Sequence, residues 1–203
     1  IYHGTNAAAT YPRIIGHEMV GVVEETVSSV TSLRPGDRVI VNQVTSCGHC
    51  YPCRMGRGNV CDSLAVRGVH IDGGYQEYIA VPQEDCYLLP DSISDTDAVM
   101  IEPATIAIQS CTRAELRKDD MLLIYGCGAL GSSILKIARL LCDYIIVADV
   151  IDEKLEGAKS AGAAHTINVL KEDLEEKIKE YTHGHGATVS IDAVCGNDSL
   201  IRL

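Results

Sequence analysis

The chain has 203 residues, of which 46% are hydrophobic and 22% are charged, and its formal charge at pH 7 is -11. This length and hydrophobic content suffice for one large domain or two small ones, each with a real core. The acidic balance argues against binding to the phosphate backbone of a nucleic acid. No apolar run is long enough to span a bilayer, and we find no secretory signal, so the nine cysteines predict a reducing, cytoplasmic setting.

Short alternating runs between residues 14 and 90 predict an all-β domain, either a barrel or a sandwich. The runs are MVGVVEETV, DRVIVNQV and YQEYIAVP, and Pro35-Gly36-Asp37 and Asp72-Gly73-Gly74 supply turns between them. A cysteine-rich segment, CGHCYPCRMGRGNVC, interrupts the pattern as an excursion between two strands.

Four cysteines in this excursion carry the strongest chemical signal in the chain. They are spaced C-x2-C-x2-C-x7-C, at Cys47, Cys50, Cys53 and Cys61. Four thiolates this close can surround one tetrahedral Zn²⁺, and a site with four protein ligands has no open position, so the predicted zinc is structural. The alternatives are weaker. A disulfide framework needs an oxidising compartment, an iron–sulphur run continues as C-x2-C-x2-C-x3-C-P, and a nucleic-acid zinc finger carries a basic surface.

The pattern changes near residue 94, where helices begin to replace isolated strands. Ser94 and Asp97 resemble a capping box and predict a helix through about Ile101. Pro103 is expected to kink that helix or to restart it. We therefore divide the chain into a β domain, residues 1–95, and a dinucleotide-binding domain, residues 96–203.

From residue 121 onward the pattern alternates between strands and helices, which predicts a parallel sheet with helices on its faces. The predicted strands are MLLIY, YIIVADV, HTINV and TVSIDAV. The first predicted helix places Ile134, Ile137, Ala138 and Leu141 on one face. Gly162 should end the second helix, and Leu174, Ile178 and Tyr181 should form one face of the third.

A glycine-rich loop, Gly126-x-Gly128-x-x-Gly131, joins the first of these strands to a helix. In dinucleotide-binding loops the first glycine makes the tight turn, the second admits the pyrophosphate and the third lets helix and strand pack closely. The helix N-terminus then attracts the phosphates. Asp149 ends the second strand about 20 residues later, where an acid hydrogen-bonds the ribose hydroxyls.

No arginine follows Asp149 to receive a 2′-phosphate, so we predict NAD rather than NADP. A glycine-rich turn without a ligand is the less favoured interpretation. Asp152 is expected to act only as the cap of the next helix.

A histidine and two acids are candidates for a second metal site. His17 and Glu18 precede a strand in IIGHEMVG, where a satisfied loop histidine is the simpler interpretation. Glu102 lies in the apolar stretch AVMIEPATIAI, where a carboxylate should be paired or metal-bound because burying a bare one is costly. Composition alone does not link these two places.

Five segments occur in the order seen in the zinc-dependent medium-chain alcohol and polyol dehydrogenases. They are GHEMVGVV, CGHCYPCRMGRGNVC, GVHIDGGYQEY, IEPATIA and YGCGALG. The chain most resembles the branch of L-galactonate, L-gulonate and sorbitol-type dehydrogenases, which includes a bacterial starvation-sensing dehydrogenase-like protein. The resemblance implies a GroES-like β domain with a structural zinc lobe, an α/β Rossmann dinucleotide-binding domain, both of them truncated here, and a homodimer or homotetramer.

The resemblance also implies roles for individual residues. The four cysteines would bind the lobe zinc, His17 would ligate a catalytic zinc, and Glu18 and Glu102 would be ligands or neighbours of the ligands. The implied reaction is hydride transfer between NAD and a secondary alcohol of a polyol or sugar acid. A threonine 3-dehydrogenase-like enzyme and a non-enzymatic regulatory protein that binds zinc or NAD are the alternatives.

The sequence departs from the family pattern in three places. The cysteine that supplies the first catalytic ligand, with its neighbouring hydroxyl residue, belongs upstream of Ile1, and the second half of the Rossmann sheet belongs after Leu203. We therefore expect this stretch of chain to be inactive alone. The glycine-rich loop has Cys127-Gly128-Ala129-Leu130 where the family often has Ala-Gly-Pro-Ile, but it keeps the glycines, so this departure does not exclude cofactor binding.

Four further histidines and the five cysteines outside the cluster are expected to be structural. We predict that His70 is a hairpin residue rather than part of a pocket rim, that His165 packs, and that His183 and His185 lie in a loop. Five cysteines are predicted to be small buried hydrophobes: Cys86, Cys111, Cys127, Cys142 and Cys195.

Overall fold

The computed structural model describes residue 4 and residues 6–194 of the chain. The chain divides into two compact units, Ile1–Ile101 and Glu102–Leu203. In the described residues, no helix has the length and the apolar character needed to cross a membrane.

The first unit is built mainly from short strands. Its elements are β1 (Met19–Val22), β2 (Arg38–Val41), β3 (Val44–Thr45), α1 (Tyr51–Arg54), β4 (Ala65–Val66), β5 (Cys86–Leu88) and α2 (Asp95–Ala98). Strands β1, β2 and β5 form an antiparallel sheet in that order, and β3 pairs with β4 in a separate antiparallel hairpin.

The core of the first unit lies on one face of the three-stranded sheet. Met19, Leu33, Val39 and Val41 are its buried members. Val39 and Val41 are two residues apart, so they point to the same face of β2. This agrees with the alternating pattern that predicted strands in this part of the chain.

The predicted strand at YQEYIAVP is wrong, because residues 75–82 form no strand in the structure. The alternation is nevertheless real. Ile79 and Val81 pack against the core, whereas Ala80 between them is exposed. A strand also needs a hydrogen-bonded neighbour along its length, which alternation of side chains does not guarantee.

A buried ion pair anchors the hairpin from which the cysteine-rich excursion departs. Arg67 follows β4, and its guanidinium lies 2.8 Å from a carboxylate oxygen of Asp85. Only 5% of the Arg67 side chain and 12% of the Asp85 side chain are exposed. The hydroxyl of Thr45, the last residue of β3, donates to the same Asp85 oxygen at 2.9 Å. One carboxylate therefore holds both ends of the excursion.

We expect Asp85→Ala to destabilise the first unit by about 3–5 kcal/mol, because the substitution leaves a buried guanidinium without its counter-charge. Asp143→Ala is the control. It removes a pair whose side chains are 82% and 74% exposed and whose charged atoms are 3.8 Å apart, so it should cost about 1 kcal/mol or less. Urea unfolding measures both, and equal losses would contradict the anchoring role of Asp85.

The second unit is an α/β structure, and helix α3 precedes its first strand. Its elements are α3 (Ile101–Arg113), β6 (Met121–Tyr125), α4 (Ala129–Ala138), β7 (Tyr144–Asp149), α5 (Asp152–Ser160), β8 (His165–Asn168), α6 (Leu174–Tyr181) and β9 (Val189–Asp192). The strands form one parallel sheet in the order β8-β7-β6-β9. The predicted parallel sheet is confirmed.

Both faces of the parallel sheet are covered, so its central strands are apolar throughout. On one face, Leu122, Ile124 and Val147 pack in a cluster with the buried side of α4. On the other face, Leu123 and Ile146 pack with residues of β8 and α6. Each such fully buried side chain contributes about 1.5–3 kcal/mol.

The helix boundaries refine the predictions made from sequence. The Ser94 hydroxyl accepts a hydrogen bond from the Asp97 N–H as predicted, but α2 ends at Ala98 rather than near Ile101. Helix α3 then starts afresh at Ile101. Pro103 lies in its first turn, where the missing N–H has no intrahelical partner to lose.

Two details of the predicted helices are wrong. Helix α4 ends at Ala138, so Leu141 lies beyond the helix and is 43% exposed. The buried face of α4 includes Leu135, which was not predicted to lie on it. The cap of α5 is Ile151, not Asp152, which is the first helical residue. Gly162 does follow the end of α5, with a φ of 99° that a side chain would disfavour.

Candidate functional site

The four cysteines of the predicted zinc site are placed by short local elements of the first unit. Cys50 caps the N-terminus of α1 and Cys53 lies within it. Cys61 ends a single 3₁₀ turn formed by Gly58–Val60. Cys47 precedes α1, next to Gly48, whose φ of 75° turns the chain back on itself.

The sulphur atoms of these cysteines converge on one point. All four lie within 4.8 Å of one another, and the Cys50 and Cys61 sulphurs are 3.7 Å apart. Tetrahedral zinc with Zn–S bonds of about 2.3 Å places its sulphur ligands about 3.8 Å apart. The four-cysteine cluster therefore has the donor set and the spacing of a closed zinc site.

The backbone around the cluster favours the thiolate form that metal binding requires. The N–H groups of His49 and Cys50 lie against the Cys47 sulphur and lower its pKa to about 6. N–H groups of Asp62 and Cys53 lower the pKa of Cys50. By contrast, the nearby Cys50 side chain raises the pKa of Cys53 to about 11. A cation among the sulphurs would reverse that penalty, because its charge dominates the local electrostatics.

His17 and Glu18 lie just before β1, in a segment that is held by backbone contacts. The carbonyls of Ile14, Ile15 and Gly16 accept hydrogen bonds from the N–H groups of Gly73, Tyr75 and Gly74, at 2.8, 3.0 and 2.9 Å. His17 is half-buried and Glu18 is exposed. The backbone that leads into His17 and Glu18 is therefore held in place by residues 73–75.

Close packing of glycines makes these backbone contacts attainable. A Cβ on Gly73 would lie 2.0 Å from the Gly16 carbonyl oxygen, and a Cβ on Gly68 would lie 2.8 Å from the same atom. From the local sequence, Gly73 is expected only in a turn, and no role is expected for Gly68. The signal that could have revealed them was the density of glycine in GVHIDGG.

Glu102 belongs to the second unit and is the second residue of α3. Its side chain is half-buried. An acid in the first turn of a helix is stabilised by the partial positive charge there. The expectation that Glu102 shares a metal with His17 and Glu18 stays a prediction.

The glycine-rich loop lies between β6 and α4, and each glycine meets a different surrounding. A Cβ on Gly131 would lie 1.9 Å from the Gly126 carbonyl oxygen, so helix and loop touch there. No atom of the described residues lies within 4 Å of a Cβ on Gly128, the N-cap of α4. The loop is thus tight at its base and open at the helix N-terminus, where phosphate groups bind in other proteins.

Asp149 ends β7 beside this loop and its side chain is tied to the backbone. One carboxylate oxygen accepts a 2.6 Å hydrogen bond from the Cys127 N–H. The other accepts from the N–H groups of Val150 at 2.7 Å and Ile151 at 3.0 Å. The carboxylate therefore has a defined orientation at the carboxyl edge of the sheet.

Structural surroundings are found for four other histidines, His70, His165, His183 and His185. The His165 ring stacks on Tyr181, with ring centroids 3.9 Å apart. His70 accepts a hydrogen bond from the Val66 N–H at 2.9 Å within a turn. His183 and His185 lie in the predicted loop between α6 and β9.

The other predicted buried cysteines agree only in part with the structure. Cys111, Cys127 and Cys142 are buried, but Cys86 is only half-buried. Cys195 lies outside the described residues.

Two family models match the chain, one over part of each unit. The model of the alcohol dehydrogenase GroES-like domain matches residues 1–91, and that of the zinc-binding dehydrogenases matches residues 129–202. The crystal structure of the alcohol dehydrogenase rspB from Escherichia coli CFT073, complexed with NADH, has a TM-score of 0.85 and 45% identity, covering 92% of this chain and 55% of that one.

Curated relatives extend along almost the whole chain. The starvation-sensing protein RspB of Escherichia coli K12 is 45% identical over 96% of this chain and 58% of its own length. Sorbitol dehydrogenase of Bacillus subtilis is 34% identical over 97% of this chain and 56% of its own length. L-threonine 3-dehydrogenase of Anaeromyxobacter sp. Fw109-5 is 34% identical over 94% and 55%.

The chain belongs to the zinc-dependent medium-chain alcohol dehydrogenase family. Its fold is a GroES-like β domain followed by a Rossmann domain, as the sequence predicted. The chain spans little more than half the length of the curated relatives it matches.

Proposed function

We propose that the intact protein is a zinc-dependent oxidoreductase that transfers a hydride between NAD and a secondary alcohol of a polyol or sugar acid. The observation that supports this most is the four-cysteine cluster in a GroES-like domain, on the same chain as a glycine-rich loop that is open at the N-terminus of α4. The first feature is typical of a structural zinc lobe. The second suits the pyrophosphate of a dinucleotide.

For the cofactor, we assign the pyrophosphate to Gly126, Gly128 and Gly131, and the adenosine ribose to Asp149. The ordered carboxylate of Asp149 can accept hydrogen bonds from the ribose hydroxyls and repels a 2′-phosphate. Val150 and Ile151, which follow it, are apolar and partly exposed, at 46% and 41%. They offer no positive charge to NADP. NAD is therefore the proposed cofactor.

For the catalytic metal, we assign His17 as a ligand of Zn²⁺, with Glu18 and Glu102 as further ligands or supporting carboxylates. Imidazole and carboxylate groups are ordinary zinc ligands. Zinc at such a site supplies Lewis acidity toward the hydroxyl that is oxidised. The backbone hydrogen bonds of residues 14–16 hold the chain just before His17 in place, and they would thereby position its imidazole as a ligand.

A polyol or sugar acid is favoured as substrate because sorbitol dehydrogenase is among the relatives. L-threonine is the second candidate, since an L-threonine 3-dehydrogenase is equally identical at 34%. Both substrates carry a secondary alcohol. The third candidate is a non-enzymatic protein that keeps zinc and NAD for regulation.

The test is a substrate panel combined with metal analysis of the intact protein. We expect two zinc ions per subunit and NAD-dependent oxidation of sorbitol, L-gulonate or L-galactonate. Turnover of L-threonine alone would establish the second candidate. A single zinc ion per subunit and no turnover of any substrate would favour the third candidate, a non-enzymatic regulatory protein.

His17→Ala in the intact protein should retain the lobe zinc, lose the second zinc and lose more than about 100-fold in turnover, because removal of even an indirect partner of a zinc ligand costs about 10–100-fold. His70→Ala is the matched control and should keep both metals and full activity. Full turnover by the His17 variant would refute its assignment as a ligand.

A further inference from the structure

Asn168 lies next to Asp149 at the carboxyl edge of the parallel sheet. It is the last residue of β8, and its backbone is in register with that of Asp149 on β7. Only 5% of Asn168 is exposed. A buried amide side chain at this position must find its hydrogen-bond partners within the protein.

The partners of Asn168 are in the segment that directly follows Asp149. Its amide nitrogen donates to the carbonyl of Val150 at 3.4 Å and to a carboxylate oxygen of Asp152 at 2.6 Å. Its amide oxygen accepts a hydrogen bond from the Leu170 N–H at 3.1 Å. Asn168 thus connects residues 150–152 to the loop after β8.

This connection bears on the orientation of the Asp149 carboxylate. One oxygen of that carboxylate is held by the N–H groups of Val150 and Ile151. Asn168 binds the carbonyl of the same Val150 and so holds the peptide segment from which those N–H groups project. If the segment moved, the carboxylate would lose two of its three backbone donors and could rotate.

We propose that Asn168 is a positioning residue for the dinucleotide site and sets the preference for NAD over NADP. It acts through residues 150–152, which keep the Asp149 carboxylate facing the place where a 2′-phosphate would lie. A fixed carboxylate repels that phosphate, whereas a mobile one can turn away. This inference rests on the proposed assignment of Asp149 to the ribose.

The experiment measures dissociation constants for NADH and NADPH in the intact protein, using the fluorescence of the nicotinamide. For Asn168→Ala we expect weaker binding of NADH. We also expect the ratio of the NADPH dissociation constant to the NADH dissociation constant to fall roughly fivefold or more, which corresponds to the loss of about one buried hydrogen bond. Asp152→Ala removes the 2.6 Å hydrogen bond that the Asn168 amide donates. Because the Asp152 side chain is 54% exposed, we expect this substitution to destabilise the fold less than Asn168→Ala does. Asp152→Ala should change the ratio in the same direction by a smaller factor.

Thr182→Val is the matched control for loss of stability. The Thr182 hydroxyl is also buried, and it binds the Ile178 carbonyl and the Gly186 N–H at the other end of the unit. This variant should leave the ratio unchanged. If Asn168→Ala and Asp152→Ala lower both affinities equally, Asn168 is only structural and the inference is overturned.

Asp149→Ala separates failure of the inference from failure of the proposed function. If Asp149→Ala leaves both affinities unchanged, the assignment of the ribose acid is wrong, and the inference about Asn168 is overturned with it. If Asp149→Ala changes the ratio and the Asn168 variants do not, only the inference about Asn168 is overturned.

Discussion

Replacing Cys61 by serine should abolish zinc binding in the four-cysteine cluster and unfold the excursion between β3 and β4. Cys61 is the buried member of the cluster, and its sulphur accepts N–H groups of Cys47 and Ser63 at 3.3 Å each. Structural zinc sites contribute about 10–16 kcal/mol of apparent binding free energy in small zinc domains. A serine hydroxyl is a far poorer ligand, so most of this contribution should be lost.

Elemental analysis of the purified protein and urea unfolding check the prediction for Cys61. We expect one zinc ion fewer per chain and a loss of several kcal/mol in the stability of the first unit, because metal binding and local folding are coupled. A chelator should lower the stability of the unmodified protein to that of the variant. Cys86→Ser is the matched control, since Cys86 lies in β5 and outside the metal cluster. Full zinc content in the Cys61 variant would disprove the closed four-sulphur site.

Gly131→Ala should lower the affinity for NADH by roughly 100-fold, the equivalent of a steric cost of about 3 kcal/mol. The added methyl group would lie 1.9 Å from the Gly126 carbonyl oxygen. That oxygen belongs to the backbone, so α4 and the loop must move apart. The N-terminus of α4 would then no longer face the pyrophosphate.

Gly157→Ala is the matched control, because Gly157 is also a helical glycine, in α5, and no atom in the described part of the chain lies within 4 Å of its added methyl group. It should leave the affinity unchanged and raise stability by about 0.5–1 kcal/mol, the usual gain from alanine in a helix. Fluorescence titration with NADH and thermal unfolding measure the two effects. Equal affinities in the Gly131 and Gly157 variants would show that the loop does not bind the cofactor.

Local chemistry explains why the metal cluster and the parallel sheet were predictable. Cys47 and Cys61 are close in sequence, so their spacing alone restricts them to one small volume. The strands of the second unit are short apolar runs separated by amphipathic helices, and that alternation has one common solution, the parallel sheet. The glycine-rich loop was recognisable because Gly126 and Gly131 stand between such a strand and such a helix.

Contacts between distant segments explain what the sequence did not reveal. The role of Gly73 depends on Gly16, and the role of Arg67 depends on Asp85, which lies in a separate segment of the chain. Each partner has an ordinary local environment when read alone. The failed strand at residues 75–82 has the same origin, because alternation describes which side chains are buried and not which backbone lies alongside.

The sequence by itself determined the fold class, the cluster of four cysteines and the glycine-rich loop, because each depends on residues that are neighbours along the chain or on a repeating pattern. Only the tertiary structure decided that Asp85 holds both ends of the cysteine excursion, that three glycines allow the backbone contacts behind His17, and that Asn168 supports the segment after Asp149. These arrangements need atoms from segments far apart in sequence to meet within hydrogen-bond distance, and no local pattern encodes which distant partner will be there.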